Sequence, residues 1–224
     1  MNLKLSSRGF WPLLRRRAAL LAALLPALVR AQDLPDGAAT LEDLLRQTTS
    51  LRAEVNQLLM DQDGRQLQET SATLAMQKPA NFSWRITEPY EELTVTDGLT
   101  VWRYEPDLDQ VTVQDFDAEL DRTPLMLLNG DATSIGDAYT VSATRVADGI
   151  LRFILTPQRP SSLFVRMSLM FQGAELREMQ FEDSLGQQTS LGFTQVERNL
   201  TLPAATFTFT PPQGVELIDN RSSP

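Results

Sequence analysis

The chain has 224 residues, with 20 Lys and Arg, 29 Asp and Glu, no His and no Cys, and a formal net charge of −9. Without His or Cys, a His-based triad, a thiolate nucleophile, a disulfide framework and His- or Cys-ligated metals are excluded. The acidic balance excludes nucleic acid as an expected partner, because phosphate binding needs clustered Lys and Arg. Hydrophobic residues make up 42% of the chain, which is too apolar for a disordered protein.

Residues 1–31 have the organisation of a secretory signal peptide. A basic segment precedes an apolar run over 18–29, and Val29 and Ala31 place small residues three and one positions before a cut. An apolar run of about twelve residues is too short to span a hydrocarbon core of about 30 Å. We therefore expect cleavage after Ala31 and export of residues 32–224 as a single domain. Six Lys and Arg and no acid leave with the peptide, which takes the net charge from −9 to −15.

One short amphipathic helix is expected near the start of the exported chain. Residues 32–39 resemble a flexible leader, and Thr40 with Asp43 forms the pattern of a capping box. Leu41, Leu44 and Leu45 follow at helical spacing. The sequence therefore predicts a helix over 40–48 with one apolar face.

Beyond this helix the apolar residues recur with a period of two, which is typical of strands with one buried face. The alternation is clear at Leu74 and Met76, over 163–171, and at Phe207 and Phe209. Asp-Gly pairs separate many of these runs, and Asp-Gly is a strong hairpin signal.

A second helical insert interrupts the strands at Thr123-Pro124-Leu125-Met126-Leu127-Leu128, where Thr is expected as N-cap and Pro as the first helical residue. An Asn-Gly pair follows the leucines and is expected to end the helix. Together the patterns predict a mainly β protein of about ten antiparallel strands. We expect these strands to curl into a barrel or half-barrel.

Catalytic and metal-binding motifs are sparse. Acidic pairs such as Glu91-Glu92 and Glu182-Asp183 are typical of solvated hairpin ends and edge strands. The run Asp61-Gln62-Asp63-Gly64 is only a fragment of a calcium loop. We expect no enzymatic activity, no cofactor and no metal site.

The apolar residues are more informative than the acidic ones. Phe82, Trp84, Trp102 and Tyr104 are large, and they lie in the first half of the exported chain with the leucines of the second insert. For each residue alone, packing in a filled core is the simpler interpretation. A barrel of about ten strands is, however, wider than side chains easily fill. A lidded apolar cavity for a lipid or acyl chain is therefore a candidate site.

Several motifs follow one another along the chain in a specific order and spacing. They are Lys78-Pro79-Ala80-Asn81-Phe82-Ser83-Trp84, Glu88-Pro89, Thr96-Asp97-Gly98, Val101-Trp102-Arg103-Tyr104-Glu105-Pro106, Gln110-Val111-Thr112, the run 123–128, and Phe207-Thr208-Phe209-Thr210-Pro211-Pro212-Gln213-Gly214-Val215 with Asp219-Asn220-Arg221. No single motif is decisive, but together, over about residues 40–221, they resemble the family of periplasmic outer-membrane lipoprotein carriers, LolA.

The resemblance implies an unclosed antiparallel β-barrel, or half-barrel, with a lid of short α-helices over an apolar cavity. It implies a monomeric periplasmic carrier of triacylated lipoproteins. The inner-membrane ABC transporter LolCDE would load it, and it would deliver to the outer-membrane acceptor LolB. The residues expected to bind acyl chains are Leu74, Met76, Phe82, Trp84, Trp102 and Tyr104, and those expected in the lid are Leu41, Leu44, Leu45, Pro124, Leu125, Met126 and Leu128.

One position departs from the family pattern. In the motif 78–84, the family typically has Arg immediately before the Pro, and this chain has Lys78. The resemblance implies that the residue at this position forms hydrogen bonds to the backbone of the lid. Lysine keeps the charge and three donors but lacks the planar fork of arginine. We expect Lys78 to be the lid latch, in a looser form or completed by another group.

Three alternatives from other classes of protein are considered. A periplasmic lipid-sensing regulator of LolA-like fold would have a second domain, for which 193 exported residues leave no room. A purely structural β-barrel would have a filled interior. A hydrolase would need a carboxylate pair that faces inward.

Overall fold

The computed structural model describes residues 32–116, 124–129, 135–147, 149–159 and 164–221. Within these ranges thirteen strands form one continuous sheet, in the order β1-β8-β9-β10-β11-β12-β2-β3-β4-β5-β6-β7-β13. Neighbouring strands are antiparallel except β13, which pairs in parallel with β7. The strands are β1 (Gln32–Leu34), β2 (Ser50–Met60), β3 (Gln66–Gln77), β4 (Asn81–Glu88), β5 (Glu92–Thr96), β6 (Thr100–Glu105), β7 (Gln110–Asp115), β8 (Tyr139–Ala147), β9 (Ile150–Pro157), β10 (Arg166–Gln172), β11 (Glu175–Glu182), β12 (Gln188–Arg198) and β13 (Glu216–Asp219).

The sheet is open, with β1 at one edge and β13 at the other. Strands β2 to β7 and β8 to β12 each pair with the next strand along the chain, and several of the turns between them have Gly at positive φ. Gly98 illustrates the requirement with a φ of 90°, a conformation that L side chains rarely adopt. The expected mainly β, unclosed half-barrel is confirmed, with thirteen described strands in place of about ten.

The core lies on the concave face of this curled sheet. Alternation along each strand places Leu74 and Met76 of β3 beside Phe82 and Trp84 of β4, because Leu74 pairs with Trp84 and Met76 with Phe82. The same face continues through the central strands of the other half of the sheet. Its members there include Phe153, Leu169, Met179 and Leu191, and each is at most 1% exposed.

Three short helices accompany the sheet in the described residues: α1 (Gly37–Arg46), α2 (Met126–Asn129) and α3 (Ile135–Ala138). The first begins three residues earlier than the sequence predicts, because the Asp36 side chain accepts a hydrogen bond from the Ala39 amide and forms the N-cap. Thr40 instead donates to the Asp36 carbonyl oxygen. The predicted Thr40 capping box is therefore wrong.

The predicted flexible leader is wrong as well, since it forms an edge strand and the start of α1. Residues 32–34 pair with β8, where Leu34 lies opposite Ala143. Gly37 then brings α1 close to the same strand. A Cβ at this position would lie 3.0 Å from the Val141 carbonyl oxygen and 3.1 Å from the Ala143 nitrogen. The absence of a side chain at Gly37 thus permits the close approach of α1 to the sheet.

The chain after β12 packs on the convex face. The strand predicted at Phe207 and Phe209 is wrong, because residues Ala204–Phe207 form a 3₁₀ helix. Phe207 and Leu202 instead form a separate small core with Ala75 of β3. Phe209 contacts the ring of Tyr104, with ring centroids 5.6 Å apart. The alternating phenylalanines therefore anchor a segment that crosses the sheet.

The apolar run predicted over 163–171 forms a shorter strand than expected. Met167, Leu169 and Phe171 are buried as predicted, but Val165 precedes β10 and is 43% exposed. The signal peptide at 1–31, the Thr123 cap, Leu163 and the side chain of Met126 lie outside what the structure describes.

We predict that Phe207→Ala lowers the free energy of unfolding by about 3 kcal/mol, because it deletes a buried aromatic ring and leaves a cavity. Equilibrium urea unfolding measures this change. Leu99→Ala is the control: Leu99 is 79% exposed, and its replacement is expected to change stability by less than about 0.5 kcal/mol. Equal stability of the two variants would contradict the convex-face packing described above.

Candidate functional site: a lidded apolar face

A cavity of about 210 Å³ lies between the concave face and the second helical insert. Phe82 and Trp84 of β4 line it from the sheet, and Pro124 and Leu125 line it from the insert. The opposite wall comes from the other half of the sheet, through Phe181 and Leu191. The cavity is thus mainly apolar and bounded by both sheet and lid.

Leu74 and Met76 belong to the same apolar surface. Their register places each beside one aromatic residue of β4, and both are at most 2% exposed. Met76 also lines a second, very small cavity of about 20 Å³ with Leu45 of α1 and Leu128 of α2. Four of the six residues predicted to bind acyl chains therefore lie on the concave face.

The helix α1 covers part of this face with its leucines. Leu41 is completely buried and Leu45 is 4% exposed, while Leu44 packs on the edge of the core. The Glu42 side chain accepts a hydrogen bond of 3.3 Å from the Gly136 amide, which connects α1 to α3. The predicted lid residues of this helix thus lie over the sheet.

The second insert buries Leu125 and Leu128 in the same core. Asn129, at the end of α2, is 1% exposed and donates a 3.1 Å hydrogen bond to the Asn81 carbonyl oxygen at the start of β4. Among the described residues its own Oδ1 has no hydrogen-bond partner.

Lys78 contacts the lid directly. Its Nζ donates a 2.7 Å hydrogen bond to the Leu45 carbonyl oxygen, in the last turn of α1. The same carbonyl oxygen also accepts a 3.1 Å hydrogen bond from the Thr48 amide. A cation at a helix C-terminus interacts favourably with the helix dipole. The position predicted as the latch therefore reaches the backbone of the lid.

Asn199 adds a second connection that sequence reasoning missed. Its side chain accepts from the Thr49 amide at 2.8 Å and donates to the Gln47 carbonyl oxygen at 2.9 Å, directly after α1. Arg198 next to it donates to the Thr48 hydroxyl at 3.1 Å. Asn199 has a φ of 57°, which asparagine tolerates better than most residues. A lone Asn between strand and loop gave no signal in the sequence.

Trp102 and Tyr104 do not join the other predicted binding residues. In β5 and β6, Thr94 pairs with Arg103, and Thr94 in turn pairs with Trp84. Successive residues face opposite sides of a sheet, so Arg103 shares the concave side with Trp84, while its neighbours Trp102 and Tyr104 face the convex side. The prediction is corrected here, because Tyr104 packs on Phe209 instead.

Polar residues that the sequence did not single out line one end of the cavity. They are Glu92 and Thr94 of β5, Arg103 of β6 and Gln57 of β2. Arg103 forms an ion pair with Glu92 at an N–O distance of 3.7 Å, and the Thr94 hydroxyl donates to the same carboxylate oxygen at 3.3 Å. The cavity is therefore apolar at the centre of the sheet and polar towards β5 and β6.

Next to the lid, Tyr139 at the start of β8 stacks on Phe164, with ring centroids 5.9 Å apart. Burial raises the pKa of the Tyr139 phenol, so it stays neutral at physiological pH.

Within the described ranges no group of three acidic residues could hold a metal ion. No described helix is long and apolar enough to cross a membrane.

A curled sheet with an apolar concave face beneath helical segments defines a class of proteins that bind apolar ligands in a lidded half-barrel. The sequence matches the family model described as "Outer membrane lipoprotein carrier protein LolA" over residues 46–210, and the chain belongs to this family. The predicted family is thereby confirmed. The family is one of carriers and not a catalytic one.

Named relatives agree with the family match. A protein of Azotobacter vinelandii named "Outer-membrane lipoprotein carrier protein" is 40% identical over 202 residues, which cover 90% of this chain and 97% of the relative. A protein of the same name from Pseudomonas fluorescens is 37% identical over 202 residues, with the same coverage of both chains.

The fold itself has a solved counterpart. The crystal structure of an uncharacterized conserved protein from Thermus thermophilus superposes with a TM-score of 0.55 and 15% identity, and the match covers 83% of this chain and 100% of that chain. At this identity the likeness concerns the architecture alone.

We predict that Lys78→Met speeds amide hydrogen exchange within α1 about tenfold. Loss of the charged hydrogen bond to Leu45 costs about 1.5 kcal/mol, and 1.4 kcal/mol corresponds to a factor of ten. Hydrogen-exchange mass spectrometry of peptides covering 37–46 measures the effect. Lys78→Arg, which keeps a cationic donor, is the matched control and is expected to exchange at the rate of the parent. Unchanged exchange in Lys78→Met would refute the latch.

Proposed function

We propose that this chain is a periplasmic carrier that binds the acyl chains of lipoproteins released from the inner membrane and delivers them to the outer membrane. The observation that carries the proposal is the concave face, where Phe82 and Trp84 line a cavity directly beneath Leu125 of the lid. The family and its named relatives support the same conclusion.

The size of the cavity requires the lid to move. Small-molecule sites in proteins usually measure about 300–1,000 Å³, and a lipoprotein anchor has up to three acyl chains. A volume of about 210 Å³ is smaller than this range. We therefore infer that this arrangement is the closed form of the carrier, in which Leu41, Leu45, Leu125 and Leu128 pack in the core that acyl chains would enter.

The leucines of the lid make loading reversible. Each acyl CH₂ removed from water contributes about 0.8 kcal/mol, so three chains in a fixed open cavity would be bound too tightly to release. When the lid opens, contacts of its leucines with the sheet are lost and offset part of this gain. Handover to an acceptor with a more apolar site is then favourable without energy input at the carrier.

The proposed partners are those that the resemblance to the LolA family implies. The cargo is a triacylated lipoprotein, the donor is the inner-membrane transporter LolCDE, and the acceptor is the outer-membrane protein LolB. We place the exported chain, residues 32–224, in the periplasm as a monomer without catalytic activity. A net charge of −15 would also keep it from adsorbing to anionic membrane surfaces.

We predict that Phe82→Glu abolishes release of lipoproteins from spheroplasts into the soluble fraction, because a carboxylate on the concave face opposes burial of acyl chains. Immunoblotting of the supernatant after incubation with purified carrier measures release. Arg85→Glu, on the same strand but exposed on the other face, is the matched control and is expected to release lipoprotein normally.

Far-UV circular dichroism distinguishes loss of binding from loss of fold in the Phe82→Glu variant. A second variant, Trp84→Ala, removes apolar surface without a charge and is expected to reduce release several-fold. Normal release by both variants would show that the concave face is not the acyl-binding surface.

A further inference from the structure

An arginine on β12, Arg198, borders the apolar surface beneath the lid. It pairs with Leu51 of β2, which is buried on the concave face, and cross-strand partners point to the same side of a sheet. The half-buried side chain lines the small cavity of about 20 Å³ together with Leu45 of α1 and Leu128 of α2. Apart from Arg198 and Thr48, the residues around this cavity are apolar.

The guanidinium of Arg198 has donors to spare. Its Nε donates a 3.1 Å hydrogen bond to the Thr48 hydroxyl. A guanidinium carries five N–H groups, of which four belong to the two Nη atoms. Among the residues that the structure describes, neither Nη atom of Arg198 has a hydrogen-bond partner. Four donors can therefore serve a ligand while the bond to Thr48 is kept.

The positive charge of Arg198 also lacks an acidic partner among the described residues. Three acidic residues that neighbour cavity-lining residues in the chain form ion pairs with other arginines: Glu197 with Arg52, Asp43 with Arg46 and Glu175 with Arg177. The C-terminus of α1 supplies only about half an elementary negative charge. Burial of a charge is unfavourable unless the charge is paired, so this position favours an anionic ligand.

We propose that Arg198 binds the carboxylate of a long-chain fatty acid whose alkyl chain lies on the concave face. This inference rests on the proposed function, because it uses the same apolar surface for the chain. It adds a second class of ligand to the lipoproteins, namely a single-chain anionic lipid. The end of the guanidinium fork, with one N–H from each Nη, matches the two oxygens of a carboxylate.

An apolar path leads from Arg198 into the larger cavity. Met76 lines the small cavity, and its cross-strand partner Phe82 lines the larger one. On the lid side, Leu128 lines the small cavity and Leu125 the larger one, and the Leu128 amide donates to the Leu125 carbonyl oxygen at 3.0 Å. A chain whose carboxylate is at Arg198 therefore passes Met76 and reaches Phe82 without crossing a polar residue.

The fatty acid needs the same movement of the lid as the lipoprotein. A cavity of about 20 Å³ has room for about one group the size of a water molecule. The carboxylate and the first carbons of the chain enter when Leu45 and Leu128 withdraw from Met76. Arg198 belongs to the sheet and not to the lid, so its donors stay in place while the lid opens.

The test compares two ligands that share a chain and differ in the head group. Oleate and oleyl alcohol, each below its aggregation concentration, displace the fluorescent probe N-phenyl-1-naphthylamine from the exported chain. Arg198→Met is expected to weaken oleate binding about tenfold, the loss of about one charge-assisted interaction, and to leave the affinity for oleyl alcohol unchanged. Unchanged binding of the alcohol also shows that the variant is folded.

Two further variants separate the fork from the charge. Arg198→Lys, which keeps the charge without the planar fork, is expected to weaken oleate binding about threefold. Arg152→Met is the matched control, because Arg152 is exposed on β9 and its neighbour Phe153 faces the concave side. This control is expected to bind both ligands like the parent.

Four outcomes would overturn the proposal. Equal loss of both ligands in Arg198→Met would mean that the residue acts only through the lid. Unchanged affinity for oleate would mean that the carboxylate binds elsewhere, and an equal loss in Arg152→Met would mean that only the overall charge matters. If the parent binds neither ligand, the proposed function fails and this inference fails with it. That result is distinguishable from the others, in which the parent binds oleyl alcohol.

Discussion

The structure depends on an apolar concave face that cannot be left in contact with water. A curled sheet buries this face only if something covers it, and the described side chains do not fill the space completely. The leucines of α1 and of the second insert supply the cover. Under the proposed function, the leucines that stabilise this arrangement cover the surface that acyl chains would contact. Ligand and lid would then compete for one surface, and this competition would distinguish a carrier from a storage site.

The cover is held by several modest interactions in place of one strong one. Lys78 contacts the last turn of α1, Asn199 contacts the residues that follow it, and Glu42 connects it to α3. Exposed or partly exposed hydrogen bonds of this kind contribute about 1 kcal/mol each. Under the proposed function, a ligand that makes many small apolar contacts would supply enough free energy to open such a lid. The lysine at the latch position thus acts together with other groups, and no single contact determines the closed state.

Much of the fold follows from local patterns in the sequence. Period-two runs such as Leu74 and Met76 identify strands with one buried face, and Asp-Gly pairs identify their turns, because both signals depend on neighbours in the chain. The predictions failed where contacts between residues far apart in the sequence determine the local structure. Phe207 alternates like a strand residue but packs as part of a 3₁₀ helix on Ala75, more than a hundred positions away in the sequence. Asp36 replaces Thr40 as the cap because pairing of β1 with β8 fixes where the chain enters α1.

The candidate site shows the same difference between features that depend on local sequence and features that depend on distant contacts. Phe82 and Trp84 were predictable because they alternate with polar residues on one strand. The side of the sheet that Trp102 and Tyr104 face could not be predicted, because it depends on the register between β5 and β6. A shift of one residue would exchange the two faces. Arg103 was overlooked for the same reason, since a charged residue between two aromatic ones suggests an exposed position until the pairing places it beside Thr94. Asn199 acts across 150 positions of sequence, which no local pattern encodes.

The two unpaired edges of the sheet have a mechanical consequence. In a closed barrel the number of strands and their stagger determine the diameter, so the interior volume is constant while the hydrogen bonds hold. Among the described strands β1 and β13 do not pair with each other, so no closed ladder of hydrogen bonds fixes the curvature. Under the proposed function, such a sheet can flatten slightly when a bulkier lipoprotein anchor enters and curl again when it leaves, without loss of hydrogen bonds between strands. An open sheet of this kind would then accept lipoprotein anchors whose acyl chains differ in length.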